Sequence, residues 1–254
     1  MKRILSLSMS CVLVAAFLGS ANAADMSMPF KAAPMAPPTS SWTGFYIGIN
    51  GGAGWGTAAS SIDLGSLAAG LGVAGVTGTF PVGSHELNGF LGGGQIGYNW
   101  QAGNVVFGIE GDGDWANISG TAPCIEVLSC SANIQWTADA TARLGVLPIN
   151  NMLVYVKGGA AWASVNYSLS SPGAVLAGAT ISSSLTTTKT GGLLGLGTEY
   201  LFAPHWTAKI EYNYTDFGTH TDTFVLTDGA ASIGVPVQTT LQMHTVKAGV
   251  NYHF

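Results

Sequence analysis

Eleven ionisable side chains fall on alternating positions of apolar stretches: Glu110, Asp112 and Asp114; Asp139 and Arg143; Lys157; Lys189 and Glu199; Lys209 and Glu211; and Lys247. A spacing of two puts side chains on one side of an extended chain. The positions between them are oily: Phe107, Ile109 and Trp115 interleave with the acids of 110–114. Trp136, Ala138, Ala140, Ala142, Leu144 and Val146 oppose Gln135, Asp139 and Arg143. Five bases and six acids gathered on one face are suited to pairing with one another. No Ser, His and acid set shares a position, so no catalytic site is expected.

Other reactive residues point to structural roles. Cys124 and Cys130 are six apart in a predicted loop, and a disulfide is the default for such a pair in an exported chain. No histidine lies near them, so no metal site and no cofactor are expected. The histidines are scattered at 85, 205, 220, 244 and 253. Gly92-Gly93-Gly94-Gln95-Ile96-Gly97 has the glycine spacing of a dinucleotide loop, but it lies inside an alternating strand with no helix behind it. Small residues that ease strand packing account for it.

The elements that must carry the charges are strands. At the C-terminus, Val246, Ala248, Val250, Tyr252 and Phe254 alternate with Thr245, Lys247, Gly249, Asn251 and His253. The same period of two predicts strands over 42–56, 87–100, 105–116, 134–147, 153–167 and 186–202, another around Ile210, Tyr212 and Tyr214, and a last one over 238–254. The stretch 153–167 is less regular, because Tyr155 and Tyr167 fall on the lysine's side. Long connections are expected near 57–86, 117–133, 168–185 and 218–237, and short turns near 101–104, 148–151 and 203–205. One oily face and one charged face on every strand fit an all-β fold: an eight-stranded antiparallel transmembrane up-and-down β-barrel, lipid outside and a polar lumen within.

Composition agrees. Only 8% of residues are charged and mean hydropathy is +0.35, against about 25% charge in a soluble domain. No stretch after the N-terminus reads as a membrane helix; 64–84 is uncharged but broken by glycines and a proline, and is read as a loop. Residues 1–23 have Lys2 and Arg3, an apolar run and Ala21-Asn22-Ala23, the pattern of a secretory signal peptide. Cys11 lies within it, and Ser8 three residues earlier argues against a lipid anchor. Residues 24–41, rich in Pro, Ala, Met and Ser, are expected to be a flexible periplasmic leader, and 42–254 the barrel. Loss of Lys2 and Arg3 takes the formal charge from −5 to −7, which excludes nucleic acid as a partner.

At WTGFYIG (42–48), IEGD (109–112), GLGTEY (195–200), KIEYNYTDFG (209–218) and VKAGVNYHF (246–254), the chain resembles the eight-stranded OmpA-like barrels of α-proteobacteria, the outer-membrane immunogenic or porin-like family. The resemblance covers 42–254. It implies a surface barrel linked to envelope integrity, seated in outer-membrane lipid, with both termini periplasmic and four long loops extracellular, where host or surface ligands would meet it. Val250, Tyr252 and Phe254 would form the signal read by the barrel-assembly machinery. Some relatives bind haemin, which makes His85 and His220, expected in exposed loops, candidate iron ligands; a small-solute porin is another alternative. No wall-anchoring domain is expected. Eight strands leave an interior only wide enough for side chains, so the charges are expected to close the lumen around Glu110, Arg143, Lys209 and Glu211. Two aromatic girdles are expected: Trp42, Trp100, Trp206, Tyr252 and Phe254 at the periplasmic edge, and Trp55, Trp115, Trp136, Trp162 and Tyr214 at the other.

Overall fold

The computed structural model describes residues 41–254 except 71, 126–127, 171–181 and 229–230. The expected signal peptide and, but for Ser41, the leader lie outside the described residues. Eight strands form one closed antiparallel barrel, each pairing with the next and β1 with β8. They are β1 (Gly44–Asp63), β2 (Thr79–Ala102), β3 (Val105–Ile125), β4 (Leu128–Ile149), β5 (Met152–Ser170), β6 (Ser182–Ala203), β7 (Trp206–Asp228) and β8 (Ala231–His253). Closure removes the open edge of the sheet; the β2–β3 ladder runs from the turn up to Asn88 opposite Ser119, and the β6–β7 ladder up to Gly192 opposite Asp216.

The strands run 19 to 24 residues, about twice the 9–11 needed to cross a bilayer. Most of what reads as long connection in the sequence is therefore strand. The reason is physical: past the lipid, outward side chains need not be apolar, so the hydrophobic alternation fades while the hydrogen-bond ladder continues. Irregular pairing between Ser60 and Ser61, Trp115 and Ile118, Ile134 and Trp136, and Asp216 and Thr219 breaks the period of two in the same region. Gln135, expected inward, sits at one of these bulges and is exposed.

The stretch 64–84, read as a loop, holds a short helix α1 (Leu64–Gly70) and the start of β2. Asp63 caps α1. Its Oδ1 accepts from the backbone N–H of Gly65 at 3.0 Å and of Ser66 at 3.2 Å, and its Oδ2 from the Ser66 hydroxyl at 2.8 Å, which satisfies donors at the helix start. These bonds hold the Asp63 carboxyl below its ordinary value.

At the opposite end the connections are two-residue turns: Gly103–Asn104, Asn150–Asn151 and Pro204–His205. His205 takes a left-handed φ of 67° without being glycine. Two contacts hold it there, the His253 N–H donating to its carbonyl at 2.8 Å and its own ring nitrogen 2.8 Å from the His253 carbonyl.

Outside, a belt of apolar side chains stands open, among them Ile49, Phe90, Leu194 and Leu196. Aromatic residues rim it, including Trp100, Trp206 and Phe254 below and Trp55, Trp115 and Trp136 above. Trp42 does not join the lower girdle. It shares the inward parity of Tyr46, is 3% exposed, and donates its indole N–H to the Asn150 carbonyl at 3.0 Å.

Candidate functional site

The lumen is layered. Nearest the two-residue turns, Trp42, Val106, Leu147, Leu153 and Tyr155 pack into an apolar floor with Leu201 against it. Above it lie the charges. Farther up, Leu87, Leu91, Ile118, Ile134, Val165, Leu193, Phe217, Leu241 and Met243 belong to a second and larger apolar cluster.

Glu110 of β3 is the hub of the charged layer. It lies 3.6 Å from Arg143, 3.3 Å from Lys157 and 3.4 Å from Lys209, each side chain without solvent exposure. Lys157 reaches Glu211 at 2.7 Å and Asp139 at 3.7 Å, and Lys209 reaches Glu211 at 3.7 Å. Arg143 lies 3.3 Å from Glu199, its guanidinium stacked over the rings of Tyr46 and Tyr155 at 4.5 and 5.1 Å. Lys247 of β8 binds Asp112 at 2.6 Å and Asp114 at 2.8 Å, with Asp139 at 4.0 Å. All six carboxylates and four of the five bases named from sequence thus lie in one layer around Glu110.

The fifth base stands apart. Lys189 lies higher, 1% exposed, bound to Asp222 and 5.8 Å from the Tyr167 ring centre. Simple alternation from Glu211 would turn Asp222 outward; the bulge between Asp216 and Thr219 turns it in.

Four bases cannot match six carboxylates alone, and neutral donors supply the difference. Tyr46 donates to Glu110 and Tyr155 to Glu211, both at 2.8 Å. Asn50 donates to Asp112 at 2.8 Å, Asn251 to Glu199 and Asn213 to Glu211 at 2.7 Å, and His253 lies 3.1 Å from Glu199. Tyr46 was not singled out from the sequence; its parity, opposite to that of Phe45 and Ile47, was the available signal. Inward glycines seat these rings. A Cβ at Gly97 would lie 2.1 Å from the Tyr46 hydroxyl oxygen and one at Gly197 2.6 Å from that of Tyr155, so the glycine run in β2 serves packing.

The histidine candidates are not in exposed loops. His85 faces inward from β2, 5% exposed, its Nδ1 without a partner, and burial pushes its ring below the ordinary value. His220 lies in β7 with Nε2 2.8 Å from the Phe217 carbonyl. Both expectations fail for one reason, the strands reaching past the lipid. Among the described residues no group of three or more His, Cys, Asp or Glu is arranged to hold a metal ion. Cys130 is disulfide-bonded; the side chain of Cys124 lies outside the described residues. Val250, Tyr252 and Phe254 follow the outward parity of β8, with Tyr252 against Trp206 and Phe254 at ring distances of 5.1 and 5.2 Å.

A family model for the outer membrane protein beta-barrel domain matches residues 11–254. The 31 kDa outer-membrane immunogenic protein of Brucella melitensis biotype 1 is 35% identical over 252 residues, spanning 95% of this chain and 97% of its own. The 22 kDa outer membrane protein of Rhizobium leguminosarum bv. viciae is 26% identical over 219 residues, spanning 85% and 80%. Among solved structures, the outer membrane protein OprG from Pseudomonas aeruginosa aligns with a TM-score of 0.46 at 12% identity, covering 85% of this chain and 99% of its own.

Proposed function

Because the chain belongs to the outer membrane protein β-barrel family, we propose that it is a structural, surface-exposed barrel of the outer membrane that supports envelope integrity and conducts little or nothing. The observation that carries this reading is the layering of the lumen. Charged side chains without solvent exposure lie between two apolar clusters. A void of about 10 Å³ borders Asp114, Asp139 and Lys247 where the charged layer meets the upper cluster, room for roughly one water. An ion would have to part buried pairs to pass. The reading is non-catalytic, because the acids and bases that could exchange protons are engaged with one another.

The connections support an orientation. Two-residue turns suit the periplasmic end of a bacterial barrel and the long ends the cell surface, where other molecules would meet them. The outward series Val250, Tyr252 and Phe254, ending on two aromatic residues, would serve as the signal that the assembly machinery reads, and a Cys124–Cys130 bridge would tie the β3–β4 connection.

Single-channel recording of refolded residues 24–254 in a planar bilayer tests the proposal. Silence or rare small events are expected. Steady, regular steps would overturn the closed lumen and establish a small-solute porin.

A further inference from the structure

The outer wall carries a pocket of about 350 Å³ just above the apolar belt, lined by Trp55, Thr57, Glu86, Asn88, Gln242 and His244 among others. Its residues come in two rows across three strands. In the lower row Trp55 of β1 pairs with Asn88 of β2 and His244 of β8; in the upper row Thr57 pairs with Glu86 and Gln242. Two residues below Asn88, Phe90 is 77% exposed in the belt. The pocket therefore sits where acyl chains give way to headgroups.

Its chemistry is specific. Trp55 is 44% exposed and its ring lies nearly parallel to His244, 15° and 5.9 Å between centroids. His244 is fixed by Tyr212, whose hydroxyl lies 2.7 Å from Nδ1; this leaves Nε2 for a ligand. Gln242 gives its amide N–H to Asp216 at 3.3 Å, so its carbonyl oxygen remains to accept. The pocket thus offers an aromatic plane, a carboxylate, two side-chain amides, a hydroxyl and a ring nitrogen. Every Lys and Arg of residues 41–254 faces the lumen, so no lysine or arginine there attracts a phosphate, and Glu86 repels one.

We infer that this pocket binds the hexopyranose ring of an outer-leaflet glycolipid headgroup. The apolar C–H face of the sugar lies against Trp55, and its hydroxyls exchange hydrogen bonds with Glu86, Asn88 and Gln242. A sugar ring needs both a flat apolar surface and mixed donors and acceptors, and this depth supplies one still attached to its acyl chains. The inference rests on the proposed orientation, which puts this end of the barrel in the outer leaflet.

Native mass spectrometry of the refolded full-length barrel tests it, counting lipids retained from bilayers that mix a monohexosyl diacylglycerol, phosphatidylglycerol and phosphatidylethanolamine. The glycolipid is expected to be retained preferentially. Glu86→Gln and Trp55→Ala should each lower its retention about 5- to 10-fold, the scale of the net contribution of one hydrogen bond or ring contact. If Trp55→Ala fails to fold, Glu86→Gln and Asn88→Ala carry the test. Soluble methyl hexoside should displace little, because the acyl chains supply most of the local concentration. Equal retention of all three lipids, preference for either phospholipid, efficient displacement by the soluble sugar, or retention indifferent to the substitutions would each overturn it. None of these outcomes bears on conductance, so the lumen reading and this one fail separately.

Discussion

Between its aromatic rims the barrel wall puts oil outside and charge inside; above the upper rim the same strands put oil inside and Ser, Thr and amides outside. On β6, Leu194 and Leu196 are 70% and 58% exposed beside the inward Glu199, while higher up Thr186 and Thr188 face out beside Lys189. On β2, Gln95 and Asn99 face the charged layer and Leu87 and Leu91 the upper cluster. The solvent outside changes, and the pattern inverts with it. The lower wall gains by shielding ion pairs from lipid; the upper wall is assembled as a water-soluble barrel is, by burying apolar area. A bilayer holds the lower half together from outside, while the upper half must supply its own core.

The largest break in that comparison comes from removing the hub of the lower half. Glu110→Leu leaves Arg143, Lys157 and Lys209 short of a buried partner, and a loss of about 3–5 kcal/mol is expected. It would be read as a lower temperature for conversion of the folded band on unboiled gels; an unchanged temperature would show that the pairs contribute nothing. A sharper test places one substitution on both sides of the boundary. Leu196→Arg should destabilise by about 2–4 kcal/mol because the charge faces hydrocarbon, whereas Thr188→Arg, same strand and same parity, should stay within about 0.5 kcal/mol. Equal effects would mean that the rim does not mark the lipid boundary.

The smallest effect concerns His85, the unpartnered ring within the upper barrel. Burial holds its folded value below the ordinary 6.5, so the folded state binds fewer protons than the unfolded one. The neutral ring's contribution is then complete above the unfolded value of about 6.5 and lost as pH falls from there through the folded one. Moving from about pH 7.5 to about pH 5.5 should lower the conversion temperature more in the wild type than in His85→Leu. An equal drop would place the titration elsewhere.

The lower half was legible because lipid imposes strict alternation. Each of the eleven charges singled out from spacing does face inward, and strand number, order and short turns follow from the same rule. The upper half was not, because where both solvents are aqueous the outward residue is free to be Ser, Thr or Asn, and such stretches look like loops. Parity also fails where the ladder slips: Asp222, which neutralises Lys189, is invisible without the bulge that turns it inward. Trp42, expected in the lower girdle, and Tyr46, not singled out at all, show another limit of residue type. Aromatic residues near a strand end suggest a girdle, yet both sit on the inward parity, Trp42 in the floor of the lumen and Tyr46 in the charged layer above it. Counting in twos was a better guide there than residue type.

The inward turn of every basic side chain makes the barrel chemically silent to reagents that read cations. Arg143, Lys157, Lys189, Lys209 and Lys247 are each no more than 3% exposed, and the other basic residue of the expected mature chain is Lys31 in the leader. Trypsin added to intact cells would find no cleavage point on the wall, and amine-directed biotin no attachment. A protein standing well proud of the membrane would then score as absent from the surface in both assays, and carboxylate chemistry at Asp63 or Glu86 would be needed to reveal it.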